Sequence, residues 1–490
     1  MMNPYLVLSL ILGYFILLMI ISGITSRHAD TQTFFTANRK SPWLLVAFGM
    51  VGASLSGVTF ISVPGEVGNS AFSYLQFVFG NVIGYWLVAA ILLPLYYKLN
   101  LVSIYSYLDK RFGSFSYKTG SFFFLISKLI GAAFRLYLVA GVLQLVLFDA
   151  FNIPFTITVI VTIALIWVYT FKGGIKTIVW TDTLQTIFLI SAVIFTIFSI
   201  SQSLELSFSS IVERIASQPE SKIFFWEWRS GNNFFKQFFA GMFITIVMFG
   251  MDQDMMQKNL TCKNKKEAQQ NMIVFSLSFL VTVFLFLCLG VLLYIFSREQ
   301  GIPAPENSDD LYPFIAMNYL SLPAGIAFLL GITASAYSSA DSALTALTTA
   351  FSVDFIRIEK YREKKRVRIK KQVHLTFSGL LILVILLFRA INNESVVVAV
   401  FTAAGYTYGP ILGLFIFGIF SKRQVCDKWV PMVAFLSPVI CYVISKNSEV
   451  LFHGYKFGFE ILILNGLITL LGLWLLSNRN KQDQNDQPGV

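Results

Sequence analysis

The sequence predicts an all-α integral membrane protein with about thirteen transmembrane helices. Three observations predict it. The 490-residue chain is 56% hydrophobic and only 13% charged, where soluble domains have roughly 45–50% and 25%. Mean hydropathy is +0.69. The apolar residues cluster in blocks of roughly 20, the length of helix that crosses a hydrocarbon core of about 30 Å. These blocks leave little chain for a soluble domain, so one membrane domain is expected.

In chain order the predicted spans are 5–24, 43–64, 72–96, 119–148, 154–171, 178–202, 236–257, 272–296, 323–353, 372–391, 395–420, 428–445 and 459–477. The first lacks a basic segment before it and a small-residue cleavage site, so it reads as a retained helix rather than a signal peptide. Thirteen crossings put the two chain ends on opposite sides.

Charge divides the loops between the spans. One alternate set carries Arg27, Arg39 and Lys40; Lys98, Lys110, Arg111 and Lys118; Lys172 and Lys176. It continues with Lys258, Lys263, Lys265 and Lys266, the run Arg357 to Lys371, and Lys422, Arg423 and Lys428, with Arg479 and Lys481 in the tail. The other set is poorer in base and holds Glu299, Glu306, Asp309 and Asp310. The positive-inside rule then places the N-terminus outside. The polar tail 478–490 is cytoplasmic and reads as disordered. The plasma membrane, or the inner membrane of a bacterium, is the expected location. The long outer loop, 203–235, carries Phe224, Phe225, Trp226 and Trp228. These suit either an interfacial anchor or packing on the helix ends.

The same distribution accounts for the formal net charge of +11. No basic face or aromatic-interleaved stripe tracks a phosphate backbone, so no nucleic-acid partner is expected. The four cysteines, Cys262, Cys288, Cys426 and Cys441, form no CxxC or Cys/His pattern, which argues against a disulfide framework or a zinc site. His28, His374 and His453 are scattered near loops, and HExxH and GxSxG are absent. A membrane enzyme is therefore not predicted. No obligatory protein partner is evident.

Polar groups inside a bilayer are costly, so those present inside spans are informative. The second span holds Gly49, Gly52, Ser54, Ser56, Gly57 and Thr59, then Pro64-Gly65. That composition suits a broken helix whose freed carbonyls coordinate a cation, and equally small-residue helix packing. In the ninth span Ser335, Ser338, Ser342, Thr345 and Thr349 recur at three- and four-residue steps and line one face, with Asp341 one turn from Ser338. Oxygen ligands of this kind suit a hard cation such as sodium; close helix packing is the alternative for the serines. In the sixth span Asp182 and Gln185 share a face. In the fourth, Lys128 and Arg135 stand seven residues apart on one face. Lys128 is expected to snorkel toward the inner surface. Arg135 needs a partner: a structural salt bridge, a helix end or an anionic group of a substrate.

The order of these motifs resembles the sodium:solute symporter family, whose members carry sugars, sialic acid, proline, pantothenate and iodide. Lys172-Gly-Gly-Ile-Lys-Thr-Ile-Val-Trp-Thr-Asp-Thr-Leu-Gln185 is similar to the family's fifth core helix, and Asp252-Gln-Asp-Met-Met-Gln257 to the end of the sixth. Tyr337-Ser-Ser-Ala-Asp-Ser342, leading to Ser352-Val-Asp354, resembles the eighth. Gly409-Pro-Ile-Leu-Gly-Leu-Phe-Ile-Phe-Gly418 resembles the tenth. The resemblance implies a LeuT-type inverted five-helix repeat and a sodium-coupled symporter for a small organic solute; a proton-coupled carrier of the same fold is the alternative. It implies this division: residues 1–42 an extra N-terminal helix and cytoplasmic loop, 43–420 a ten-helix transport core, 421–477 two further helices, and then the tail.

By the same resemblance the main sodium site would use the carbonyls of Gly52, Leu55 and Ser335 and the hydroxyls of Ser338 and Ser339. A second sodium site, present in some members, would fall on Asp182, Ser338, Asp341 and Ser342. Asp341 departs from the small or hydroxyl residue expected there and brings in a proton or a stronger cation bond as alternatives. Substrate would lie against Ser56, Thr59, the Tyr74–Val78 stretch with Gln76, Arg135 and Phe243. Sialic-acid carriers place an arginine about one turn earlier on the fourth span, where this chain has Gly131, so no particular sugar acid is implied.

Overall fold

Hydrophobic blocks of this length can cross a bilayer only with every backbone polar group bonded internally, so they fold as helices. A computed structural model describes residues 4–25, 37–101, 103–391 and 396–478. Arg27, His28, Arg479, Lys481, the rest of the tail and the Lys172 side chain lie outside the described residues.

Each apolar block has a helical counterpart. Eight helices are long and apolar enough to span: Pro4–Thr25, Ser73–Lys98, Ser114–Phe151, Gly174–Ser203, Lys265–Glu299, Leu322–Phe355, Glu363–Ile391 and Asp427–Lys446. Three further blocks are bent pairs: Trp43–Ser54 with Thr59–Ser70, Phe234–Gly250 with Gln253–Asn259, and Val398–Thr407 with Gly409–Phe420. Phe155–Val168 and Ile461–Leu475 are shorter apolar helices. Spans are numbered below in this chain order, as in the sequence.

The two sharpest bends, 54° in the second span and 69° in the seventh, lie five spans apart. That is where a five-helix inverted repeat places its paired broken helices. For the second span, whose composition suits a broken helix and small-residue packing equally, the structure shows the break. The seventh breaks where Asp252 caps the new helix, its Oδ1 accepting the Asp254 N–H at 2.9 Å. The eleventh bends by 47° just before Gly409-Pro410.

The basic loops gather at one end of the bundle. Ser41 N–H donates to the Thr261 carbonyl (3.1 Å), and Arg111 donates to the carbonyls of Ser421 (2.6 Å) and Arg423 (2.8 Å). A short antiparallel ribbon of Gln424–Val425 with Ser477–Asn478 brings the last helix to the same end. The opposite end carries the ion pairs Arg214–Glu299 and Arg298–Glu220. Its long loop packs on the helix ends, the second of the two expected roles. Phe225 N–H donates to Gln76 on the third helix (3.1 Å), while Trp226 and Trp228 remain exposed.

Glycines set the closest crossing near the site. A Cβ on Gly80 would collide with the Phe238 carbonyl, and one on Gly241 with the Phe77 carbonyl. The third and seventh spans therefore meet backbone to backbone, as small residues permit in membranes.

Candidate functional site

The second span loses its helical path at Leu55 (φ −79°, ψ 69°) and Ser56 (φ −67°, ψ 171°). Gly52 lets this segment lie on the sixth span: a Cβ there would collide with Thr186 Oγ1 and stand 2.8 Å from the Asp182 carbonyl. Across the break, the Ser335 hydroxyl donates to the Leu55 carbonyl at 2.9 Å. The Ser338 hydroxyl donates to Asp182 Oδ1 at 2.6 Å. Ser339 Oγ is buried with no hydrogen-bond partner among the described residues. The residues named for the main sodium site thus meet at one crossing of the second, sixth and ninth spans. The chemistry there is carbonyl and hydroxyl oxygen, which suits a hard monovalent cation.

Asp182 is fully buried and heavily engaged. Besides Ser338, it takes a 2.8 Å ion pair from Lys258 Nζ to Oδ2. With its amide oriented to satisfy its neighbours, Gln185 donates to Oδ1 (3.1 Å) and accepts from the Tyr14 hydroxyl (3.1 Å). Asp341 is also buried and acts electrostatically on Lys258. Lys258, expected as a loop cation, is instead 1% exposed. The cause is its place on the last turn of the broken seventh span, which aims its stem into the bundle.

A cavity at mid-bundle is lined by Ser54, Ser56 and Thr59 beside the break, and by Tyr74, Phe77, Asn81 and Tyr85 of the third span. Lys128 and Arg135 of the fourth, Thr245 and Asp252 of the seventh, and Phe401 and Tyr408 of the eleventh complete it. Beyond Arg135, on the side away from the basic loops, lies a vestibule of about 780 Å³ edged by Glu66, Tyr137, Asp309 and Arg389.

Of the residues named for substrate, Ser56, Thr59, Tyr74 and Arg135 line this cavity, and Gln76, Val78 and Phe243 do not. The lining residues of the third span recur at three- and four-residue steps from Tyr74, so Gln76 falls on the opposite face; Val78, one turn from Tyr74, is fully buried in the core. Gln76 donates to the Asn232 carbonyl at 2.9 Å and ties the long loop down. Phe243 lines an apolar crevice with Met242, Ile246 and Leu412, because the neighbouring Ile244 and Thr245 face the cavity.

Lys128 does not snorkel. It is buried and paired with Asp254 (2.8 Å) and Asp252 (3.3 Å). Asp252 Oδ2 also accepts the Tyr408 hydroxyl (2.7 Å). Arg135, for which a structural salt bridge was one of three expected partners, has no ion pair within 4 Å among the described residues. Its neighbour Lys128 has claimed both carboxylates. The sequence motif Asp252-Gln-Asp254 carried the signal for this arrangement: two acids at a membrane-depth helix start require cations nearby.

Comparison with known proteins agrees with this architecture. The model of the sodium:solute symporter family matches residues 34–426. The sodium/sialic acid symporter NanT of Aliivibrio fischeri is 26% identical, with 90% of this chain and 88% of that protein aligned. The human sodium/iodide cotransporter is 23% identical over 80% of this chain and 61% of its own length. A substrate-bound, outward-open sodium-coupled sialic acid symporter superposes with a TM-score of 0.82 at 19% identity, covering 97% of this chain and 99% of that one. Mhp1, a nucleobase-cation symporter, superposes with a TM-score of 0.52 at 14% identity over 90% and 94%. The chain belongs to the sodium:solute symporter family: it is a multi-pass membrane transporter of LeuT-type fold that couples solute movement to sodium, and not an enzyme.

Proposed function

We propose that this symporter carries a small organic anion, a sugar acid or other carboxylate, into the cell with sodium by alternating access. Arg135 carries the substrate class. Its guanidinium lines the cavity, half-buried, with no ion pair among the described residues. Lys128, two turns away, is already neutralised. A cation at membrane depth with no direct ion pair, held only by the longer-range attraction of Asp254, is costly. A substrate carboxylate meeting the guanidinium fork with two parallel hydrogen bonds removes that cost. Hydroxyls of Ser56, Thr59 and Tyr74 offer further polar contacts on the cavity wall. Relatives named for sialic acid, iodide and monocarboxylates transport anions, which supports the same reading.

Sodium sits, in this reading, on the carbonyls of Gly52, Leu55 and Ser335 and the hydroxyls of Ser338 and Ser339. The basic loops gathered at one end support a cytoplasmic C-terminus, an outer N-terminus, and placement in the plasma membrane or a bacterial inner membrane.

Competition in proteoliposomes tests the substrate class. Sialic acid, glucuronate and lactate are assayed beside their amides and beside glucose, under an inward sodium gradient. At least one acid is expected to be taken up and its amide to compete at least tenfold less well, a difference of about 1.4 kcal/mol or more. Equal competition by acid and amide for every transported solute refutes the anion reading. For the sodium ligands, Ser338→Ala combined with Ser339→Ala is expected to weaken sodium binding at least tenfold, again about 1.4 kcal/mol. Sodium-dependent thermal stabilisation as strong as wild type would show the site to be elsewhere.

A further inference from the structure

The densest charge in the chain exceeds what orientation in the membrane requires. Between Arg357 and Lys371 stand nine Lys or Arg and two acids. The basic loop after the seventh span carries only Lys263, Lys265 and Lys266, and gives the same topological bias. We propose that the start of the tenth span, through Lys364, Arg368 and Lys371, binds the headgroups of anionic phospholipids. The site goes beyond the transport reading and does not rest on it.

The helix Glu363–Ile391 is 29 residues long, or about 43 Å at 1.5 Å per residue. That exceeds a hydrocarbon core of about 30 Å, so one end projects from it. Two neighbouring four-residue rows of this helix are exposed. One runs Val367, Lys371, Leu375, then on through Leu383 and Leu387 to Ile391. The other runs Lys364, Arg368, Gln372, Thr376, Leu380. The apolar stretch from Leu375 to Ile391 covers about 24 Å and faces the lipid. The same exposed surface turns cationic immediately below it. Lys371 lies about 6 Å and Arg368 about 10 Å beyond Leu375 along the axis, within the headgroup layer.

A second helix marks the same depth. Trp167 stands at the end of Phe155–Val168, the fifth span, and Lys371 Nζ lies 5.7 Å from the centre of its ring. Tryptophan favours the membrane–water interface, so the pair sets Lys371 at headgroup level between two helices. Basic clefts of this kind between spans accept phosphate headgroups.

The cations of the stretch divide by role. Arg366 turns back on its own loop and donates to the carbonyls of Tyr361 and Glu359, each at 2.6 Å. Lys365 lies over the Tyr361 ring. Lys364 and Arg368 are exposed and have no ion pair among the described residues. A phosphodiester at this level meets an ammonium on either side of a guanidinium. Its acyl chains lie along the apolar continuation of the same rows, which a soluble anion would leave unused. Lipid is therefore the occupant that fits both parts of the surface.

Native mass spectrometry of the purified full-length protein, incubated with equal amounts of phosphatidylglycerol and phosphatidylcholine in detergent, reads the retained lipid. Wild type is expected to retain phosphatidylglycerol about tenfold or more over phosphatidylcholine. Lys364→Gln combined with Arg368→Gln and Lys371→Gln is expected to lose most of that preference. Lys263→Gln combined with Lys265→Gln and Lys266→Gln removes the same charge from another basic loop and is expected to keep it. Equal retention of the two lipids by wild type overturns the proposal. Equal loss in both triple variants also overturns it, since net charge rather than a site would then hold the lipid. Displacement of phosphatidylglycerol by millimolar inorganic phosphate would assign the cations to a soluble anion and overturn the lipid reading. Should the first triple variant fail to fold, Arg368→Gln alone decides, and an unchanged lipid preference in it overturns the proposal.

Discussion

Lys128→Met is expected to be the most destabilising single substitution in the cavity. Lys128 is the shared partner of Asp252 and Asp254, all three buried. Removing one member of a buried ion pair leaves charge without compensation and costs about 3–5 kcal/mol. Here two carboxylates lose their lysine together, although Asp252 keeps the Tyr408 hydroxyl at 2.7 Å and Asp254 keeps Lys258 at 3.9 Å. Thermal unfolding of purified protein in detergent should show a large drop in midpoint. Combining Lys128→Met with Asp254→Asn and Asp252→Asn removes the stranded charges and should recover most of the loss. A Lys128→Met protein as stable as wild type would mean that the triad is solvated and contributes little.

Arg135→Met is expected to abolish most transport while leaving the fold and sodium binding intact. A charge-assisted contact to a carboxylate contributes about 1.5–3 kcal/mol, or roughly 10- to 150-fold in affinity. A bidentate contact falls at the upper end. Arg135→Lys keeps the charge and loses the planar fork, so an intermediate defect is expected. Arg135→Met also removes from the bilayer interior a cation with no direct ion pair among the described residues, so its stability should equal or exceed that of wild type. Initial uptake rates and unfolding midpoints measured on the same preparations separate these effects. A strongly destabilised Arg135→Met protein would assign the arginine to the structure rather than to the substrate.

The extent to which these features were legible in the sequence follows from the range of the interactions. Span positions are local, because a run of apolar residues long enough to cross the bilayer has few other fates. The break in the second span is nearly local as well, written in Gly52, Ser54, Ser56 and Gly57. The bend of the seventh is written more faintly, in Gly250 followed by the capping Asp252. The charge pairing is not local. Lys128 and Asp252 are 124 residues apart, so the lysine looks like a snorkelling cation until the seventh span is laid across the fourth. Lys258 stands close to Lys263, Lys265 and Lys266 and reads as one of a basic loop; only the helix after the bend carries it inward to Asp182. Gln76 and Phe243 failed as cavity residues for a simpler reason. A resemblance can name a stretch of helix, but facing depends on rotation, and one residue turns the side chain by about 100°.

The charged centre also connects the two sites. From Ser338, ion pairs and hydrogen bonds run through Asp182, Lys258, Asp254 and Lys128 to Asp252 and Tyr408 on the cavity wall. On the function proposed above, a cation beside Ser338 and an anion beside Arg135, which acts electrostatically on Asp254, would both bear on this connected set of buried charges and so on the broken seventh span.

Sodium-driven uptake of a carboxylate is the most direct test of sodium coupling. Proteoliposomes are given an inward sodium gradient at equal pH, or an inward proton gradient with choline in place of sodium, and uptake of an acid that competes in the panel is followed. The account predicts accumulation under the sodium gradient and its collapse when choline replaces sodium. Equal accumulation under the proton gradient in sodium-free buffer would contradict it.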